Sequence, residues 1–367
     1  MDAAVGFQDG LMKILITGAC GFVACAVAES LLERYEDLTI TGMDNLMRPG
    51  SEINRSRLRR LGIRFVHGDI RAASDFEALP ADTDWVIDAA ATSSVLAGVR
   101  GELSSRQLFE HNLASLVNVL EYCKRNDAGL VLLSSSRVYS IADLRSLPLK
   151  TEGNAFQLDS TAPLPAGISA EGICVDFSTS PPVSLYGSMK LASEMIALEY
   201  HHAFGFPVWV DRCGVLAGAR QFGTPDQGIF SYWINAHLGR RPLRYTGFDG
   251  TGNQVRDVFH PRDLAALIGA QMQKLSAQGR RVYNAGGGLR NSISLAQLTA
   301  WCDTRFGAHR PAADAQERPY DVPWLIMDSR WAESDFGWRI EIGMDRLLEE
   351  IARHAEQDPA WLELSGP

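Results

Sequence analysis

The sequence lacks most of the features that would place it outside the compact enzymes. Its six cysteines, at 20, 25, 123, 174, 213 and 302, include no Cys-x-x-Cys pair. That spacing argues against a disulfide framework or a zinc site and for reduced, mostly buried thiols. Unbroken apolar runs such as Phe22 to Ala28 and Leu130 to Leu133 fall far short of a membrane span. Residues 1–11 lack the cationic start and apolar core of a secretion signal, so a cytoplasmic protein is expected, with residues 1–11 as a disordered extension. Basic surface is scarce as well: 35 Lys and Arg face 44 Asp and Glu, for a net charge of −9. This balance excludes broad contact with nucleic acid or an anionic membrane, and any polyanionic partner must meet a local basic pocket. Asn54-Arg55-Ser56 spells a glycosylation acceptor, but without a secretion signal it reads as a chance triplet.

What is present is a chain of 367 residues, 46% hydrophobic, able to bury a substantial core. From Lys13 onward, short apolar runs bounded by turn residues alternate with helix-length amphipathic stretches, the pattern of a parallel sheet wrapped by helices. Strands are predicted at Lys13–Thr17, Leu38–Asp44, Arg64–His67, Trp85–Ala89, Leu130–Ser134 and Pro207–Arg212, with helices at Val23–Tyr35, Gln107–Arg125 and Tyr186–Phe204. Residues 141–185 are rich in Pro, Gly, Ser and Thr and read as a long loop. The expected fold is α/β, a Rossmann-type doubly wound parallel sheet over residues 12–212. Residues 213–367 read as a smaller, mixed α/β substrate-binding part, partly interleaved with the first.

The first strand runs directly into Gly18-Ala19-Cys20-Gly21-Phe22-Val23-Ala24 and then a helix. In that setting Gly18 permits the tight turn, Gly21 lets the backbone approach a pyrophosphate, and the helix N-terminus favours the anion. Asp44 closes the next strand 44 − 18 = 26 residues later. A carboxylate there accepts the ribose hydroxyls of NAD and repels the 2′-phosphate of NADP, although Arg48 leaves the phosphorylated cofactor open. Tyr186 and Lys190 are 190 − 186 = 4 apart, hence on one helix face, where an ammonium can lower a phenol's pKa toward usefulness as a base. Ser134-Ser135-Ser136 ends the fifth predicted strand, where such a sheet presents its ligand crevice.

This order of motifs resembles the extended short-chain dehydrogenase/reductases, the NAD-dependent epimerase/dehydratase family, across roughly residues 12–355. Within it, Arg220 to Gly228, Gln254 to Val258 and Asn284 to Gly288 are similar to the CDP-tyvelose (CDP-paratose) 2-epimerase branch. The resemblance implies Ser135, Tyr186 and Lys190 as the catalytic set, Asp69 and Ile70 beside the adenine, and Ala89, Ala90, Ala91 and Asn112 along the cofactor channel. With Gly18, Gly21, Phe22, Val23, Asp44, Asn45, Ser134 and Lys190 these complete the expected NAD-binding residues. Arg220, Gln221, Gln227 and Arg256 are the expected substrate-binding residues, Arg256 at the diphosphate of a nucleotide-diphosphate sugar.

Two departures bear on the reaction. Relatives that dehydrate carry an Asp-Glu pair where this chain has Ser136-Arg137, and many relatives carry Asn where it has Gly214. The expected activity is epimerisation of one sugar carbon, carbon 2 on the resemblance, by transient oxidation. A 4-epimerase, a net dehydrogenase and a non-catalytic NAD-binding regulator stand as alternatives. Relatives also imply a homodimer. His201-His202, His67 and His260 lack partners at ligand spacing, so no metal is expected. Arg55, Arg57, Arg59 and Arg60 read as a solvated helix face.

Overall fold

The computed structural model describes residues 11–99, 103–274 and 279–365; most of the expected extension, residues 1–10, lies outside the described residues. Apolar runs covered on both faces become a seven-stranded parallel sheet. Its strands are β1 (Met12–Thr17), β2 (Leu38–Asp44), β3 (Arg64–His67), β4 (Trp85–Asp88), β5 (Gly129–Ser135) and β6 (Val208–Cys213), with Val282–Ala285 as the seventh. The order runs Val282–Ala285, β6, β5, β4, β1, β2, β3. The chain leaves β1 in one direction and returns to its other side at β4, so the C-terminal ends of β1 and β4 flank a topological switch point. Register brings the functional ends level: Thr17 pairs with Asp88, and Cys213 with both Ser135 and Ala285.

The helices between the first six strands are α1 (Phe22–Arg34), α2 (Glu52–Arg60), α3 (Ser105–Phe109), α4 (Leu116–Asn126) and α5 (Ser184–Phe204). Side chains such as Ile14, Ile16, Val27 and Leu31 pack one face of the sheet, and Leu15, Val86, Leu120 and Leu130 the other. Beyond β6 a small sheet forms around Val255–Phe259, flanked by Val215–Leu216, Ser292–Ser294 and Trp324–Leu325. Helix Ile229–Leu238 packs beside it through Phe230, Trp233 and Ile234. No helix of the described residues is long and apolar enough to cross a membrane.

Three local expectations are corrected. The stretch 141–185 is not a plain loop: it holds a helical turn, Ile141–Arg145, and two antiparallel ribbons, Leu149–Glu152 with Ala155–Leu158 and Ile168–Ser169 with Gly172–Ile173. A buried cluster including Tyr139, Leu144, Phe177 and Trp324 ties it to the small sheet, contacts between residues too distant in sequence for a local pattern to reveal. The single helix expected over Gln107–Arg125 is split by a π-turn at Glu110–Ala114. The arginine run on α2 is only partly solvated, since Arg57 pairs with Glu29 and Arg55 stacks over Phe65 at 5.1 Å. Asn54, from the glycosylation-like triplet, is 3% exposed and donates to the Cys20 carbonyl at 2.9 Å, so it is a structural hydrogen bond.

Candidate active site

One cavity of about 690 Å³ opens along the C-terminal edge of the large sheet and runs on against the small sheet. Its first end is built by the β1–α1 turn. Gly18 adopts φ +63°, a left-handed conformation, and a Cβ there would meet Ala90 Cα at 2.8 Å. The turn therefore needs glycine both for its bend and for its contact with the end of β4. Gly21 caps α1 in extended conformation with no side-chain partner, leaving the helix N-terminus to an anion at the cavity wall lined by Phe22 and Val23. Asp44 takes a hydrogen bond on each oxygen, from Cys20 N at 2.9 Å and Leu46 N at 2.7 Å. Burial raises its pKa, and those backbone donors pull it back. The orienting bonds leave lone pairs free for a diol, so the residues fit the adenosine ribose of NAD.

Asn45 lines the same end and donates to Asp69 at 2.9 Å; Arg71 also donates to the Asp69 carboxylate, at 2.6 Å. These hydrogen bonds, that of Arg71 foremost, hold Asp69 far below the usual carboxylate range. Ile70 and the Ala89-Ala90-Ala91 run complete the wall. Asn112, expected along the channel, is absent from the cavity lining. It lies in the π-turn, 5% exposed, where its amide accepts from Thr92 N at 2.8 Å and donates to Thr92 O at 2.9 Å. It thereby fixes the loop that does line the cavity.

The expected catalytic residues Ser135, Tyr186 and Lys190 meet at the cavity where β5 ends and α5 begins. Gly187 brings them together, because a Cβ at that position would meet the Arg137 carbonyl oxygen at 2.2 Å. Ser135 Oγ accepts from Arg137 N at 3.1 Å. Burial pushes the Tyr186 phenol up to about 12, while hydrogen bonding with Ser135 and the Arg137 cation pull the other way. Lys190 is 4% exposed, and burial lowers its pKa; Nζ donates to the Leu133 carbonyl at 2.8 Å. The Arg137 charge thus joins the groups that act on the phenol, while the Lys190 ammonium is engaged by the Leu133 carbonyl. The Ser134 hydroxyl, on the same wall, is engaged by Glu194, whose carboxylate forms a buried ion pair with Arg212 at 2.7 Å.

At the far end Gln221, Gln227 and Arg256 line the cavity, but Arg220 does not. Arg220 adopts φ +65°, and its charge acts instead on Cys25 and His354 behind the wall. Gln221 also has a structural role: its side-chain amide donates to Leu216 O at 2.7 Å and its backbone carbonyl accepts from Ser231 and Trp361. Arg256 is pinned by Asp321 at 2.6 Å and by the Val322 carbonyl at 2.8 Å. The sequence reading missed Arg318 and Asp321, which reach this end from a segment without a motif, and took Arg137 only as a missing acid. Gly214 is explained by its neighbour, since a Cβ would meet Asp257 Oδ1 at 2.8 Å, and that buried carboxylate leaves no room for the asparagine of relatives.

Residues 14–286 match the model of the NAD dependent epimerase/dehydratase family. The chain is 31% identical over 325 residues to a CDP-paratose 2-epimerase of Salmonella typhi, covering 84% of this chain and 90% of that one. It is 27% identical to a UDP-glucuronate 4-epimerase of Thermodesulfobacterium geofontis, covering 94% and 96%. The structure of a UDP-glucuronic acid 4-epimerase from Bacillus cereus, in complex with UDP-glucuronic acid and NAD, superposes with a TM-score of 0.77 at 22% identity, over 94% of this chain and 99% of that one. That last likeness is one of fold. The chain belongs to the NAD dependent epimerase/dehydratase family, and NAD is the cofactor for which the first end of the cavity is built.

Proposed function

We propose that the protein inverts carbon 2 of the sugar in a nucleotide-diphosphate sugar, by transient oxidation to a ketone and return of the hydride to the opposite face. The observation that carries this reading is the position of Ser135 and Tyr186 in one cavity, between the anion-accepting N-terminus of α1 and Arg256. Tyr186 takes the proton of the reacting hydroxyl, Ser135 donates to the oxygen as charge develops on it, and Arg256 holds the diphosphate. Lys190 holds the ribose beside the reacting carbon. Bound NAD supplies a hydride acceptor and donor, and its positive ring favours the ionised phenol. The Ser136-Arg137 pair provides no acid and base for elimination of water, so oxidation and reduction remain the whole cycle.

Carbon 2 is favoured by the likeness to the 2-epimerase, 31% against 27% for the 4-epimerase named above, and by the segments around Gln221 and Arg256. Inversion at carbon 4 is the second reading, since it uses the same side chains.

The test is NMR of a panel of nucleotide sugars with the NAD-loaded protein, alongside absorbance of NADH. An inverted sugar without net NADH is expected. Tyr186→Phe is expected to lower turnover by roughly 10²–10⁴-fold with NAD content unchanged. Full turnover in Tyr186→Phe, or NADH formed in step with product, would overturn the proposal.

A further inference from the structure

Three guanidinium groups line the substrate end of the cavity, those of Arg137, Arg256 and Arg318. Two have carboxylate partners: Arg256 pairs with Asp321 at 2.6 Å and Arg318 with Asp226 at 2.7 Å. The Arg137 side chain makes no hydrogen bond or ion pair with any described residue; only its backbone is engaged, on Ser135 Oγ and against Gly187. Arg137 is partly buried, and burial, with the nearby Arg256 charge, pushes this guanidinium down to about 10 against the pull of the Asp321 carboxylate.

The place of Arg137 narrows what that anion can be. It stands two residues beyond Ser135, and it lines the same cavity as Tyr186 and Arg256. It therefore shares one cavity wall region with the Ser135 and Tyr186 hydroxyls and with the group proposed to hold the diphosphate, where the sugar ring would sit. Arginine presents a planar fork that matches a carboxylate through two parallel hydrogen bonds. We propose that Arg137 receives a carboxylate carried by the sugar, so that the substrate class is a nucleotide-diphosphate uronic acid or a similarly acidic sugar. This inference rests on the reading that the cavity takes a sugar nucleotide, but not on which carbon is inverted.

The test measures binding of UDP, UDP-glucose and UDP-glucuronate to the full-length NAD-loaded protein by calorimetry. Wild type is expected to bind UDP-glucuronate at least about tenfold more tightly than UDP-glucose, the scale of a charge-assisted hydrogen-bonded pair. In Arg137→Gln the two affinities should converge, while UDP alone changes by less than about threefold; Arg137→Lys should keep part of the preference, since charge remains and the fork is lost. Melting curves of both variants check folding, and the wild-type ratio is read without any variant. Equal affinity of wild type for the acidic and neutral sugars, including no detectable binding of either, would overturn the inference. So would an Arg137→Gln variant that weakens UDP as much as UDP-glucuronate, which would assign the guanidinium to the phosphate. Inversion of neutral sugars with no preference for the acid removes this inference and leaves the epimerase standing; preference for the acid without inversion of any sugar does the reverse.

Discussion

Gly187 shows how one missing side chain lets two elements meet at the cavity. The Tyr186 helix can approach the end of the Ser135 strand only because nothing projects from residue 187 toward the Arg137 carbonyl oxygen, 2.2 Å from where a Cβ would stand. Gly187→Ala should force the helix start away from the strand. The expected cost is about 1–3 kcal/mol of stability by urea denaturation, as for overpacking elsewhere, together with a lower kcat at unchanged NAD content. An alanine variant with wild-type stability and kcat would show that the contact is not what sets the Ser135 to Tyr186 spacing. The same close contact is why Tyr-x-x-x-Lys could be read from sequence while the identity of the neighbouring cation could not. Helical spacing places Lys190 one turn from Tyr186, but the Leu133 carbonyl takes its ammonium, and Arg137 comes from the short helical turn Ser136–Val138 that follows β5.

At the scale of elements, the π-turn Glu110–Ala114 interrupts a helix whose apolar spacing predicted no break. One-turn π insertions recur at functional sites, where they re-aim a side chain. Here Asn112 is placed so that both ends of its amide meet the Thr92 backbone, at 2.8 and 2.9 Å. Asn112→Ala leaves a Thr92 peptide without its partner and should weaken NAD binding by about tenfold, on the scale of about 1–3 kcal/mol for an orphaned polar group. Asn112→Asp keeps the acceptor for Thr92 N but cannot donate to Thr92 O, so it should fail similarly. Retained NAD measured after gel filtration of each variant decides this, and wild-type retention in both would remove the π-turn from any part in cofactor binding.

At the scale of the whole molecule, two buried carboxyls couple stability to pH. Burial pushes Asp211 up to about 7 against its hydrogen bond from Gln271. It pushes Asp257 up to about 7 against backbone donors that include Met327 N and Gly288 N. The folded protein keeps these protons up to about pH 7, whereas the unfolded chain releases them near pH 4. Folding thus takes up protons between those values, and the contribution is fully present below about pH 4 and lost as pH rises through 7. Urea midpoints should fall from pH 5.5 to pH 8, and Asp211→Asn should make that fall roughly half as steep because one of the two groups no longer titrates. A variant whose midpoints track wild type at every pH would show that Asp211 is ionised in the fold.

The sequence by itself determined the parts of this protein whose physics is local. The first Gly-rich turn, the strand-end Asp44, the serines of β5 and the Tyr186–Lys190 spacing are consecutive or near-consecutive residues. Strand and helix periodicity then sufficed to put them on the same edge of a parallel sheet. Only the tertiary structure decided what meets those residues from a distance: the Asp321 and Arg318 that furnish the substrate end, the Asp257 carboxylate that makes residue 214 glycine, and the packing that turns 141–185 into ribbons. It also drew Arg220 out of the site and left the Arg137 side chain in it without a hydrogen-bond or ion-pair partner among the described residues. The reason is physical: a motif fixes backbone direction over a few residues, whereas the partner of a charge is fixed by which other segment of the chain fills the space beside it.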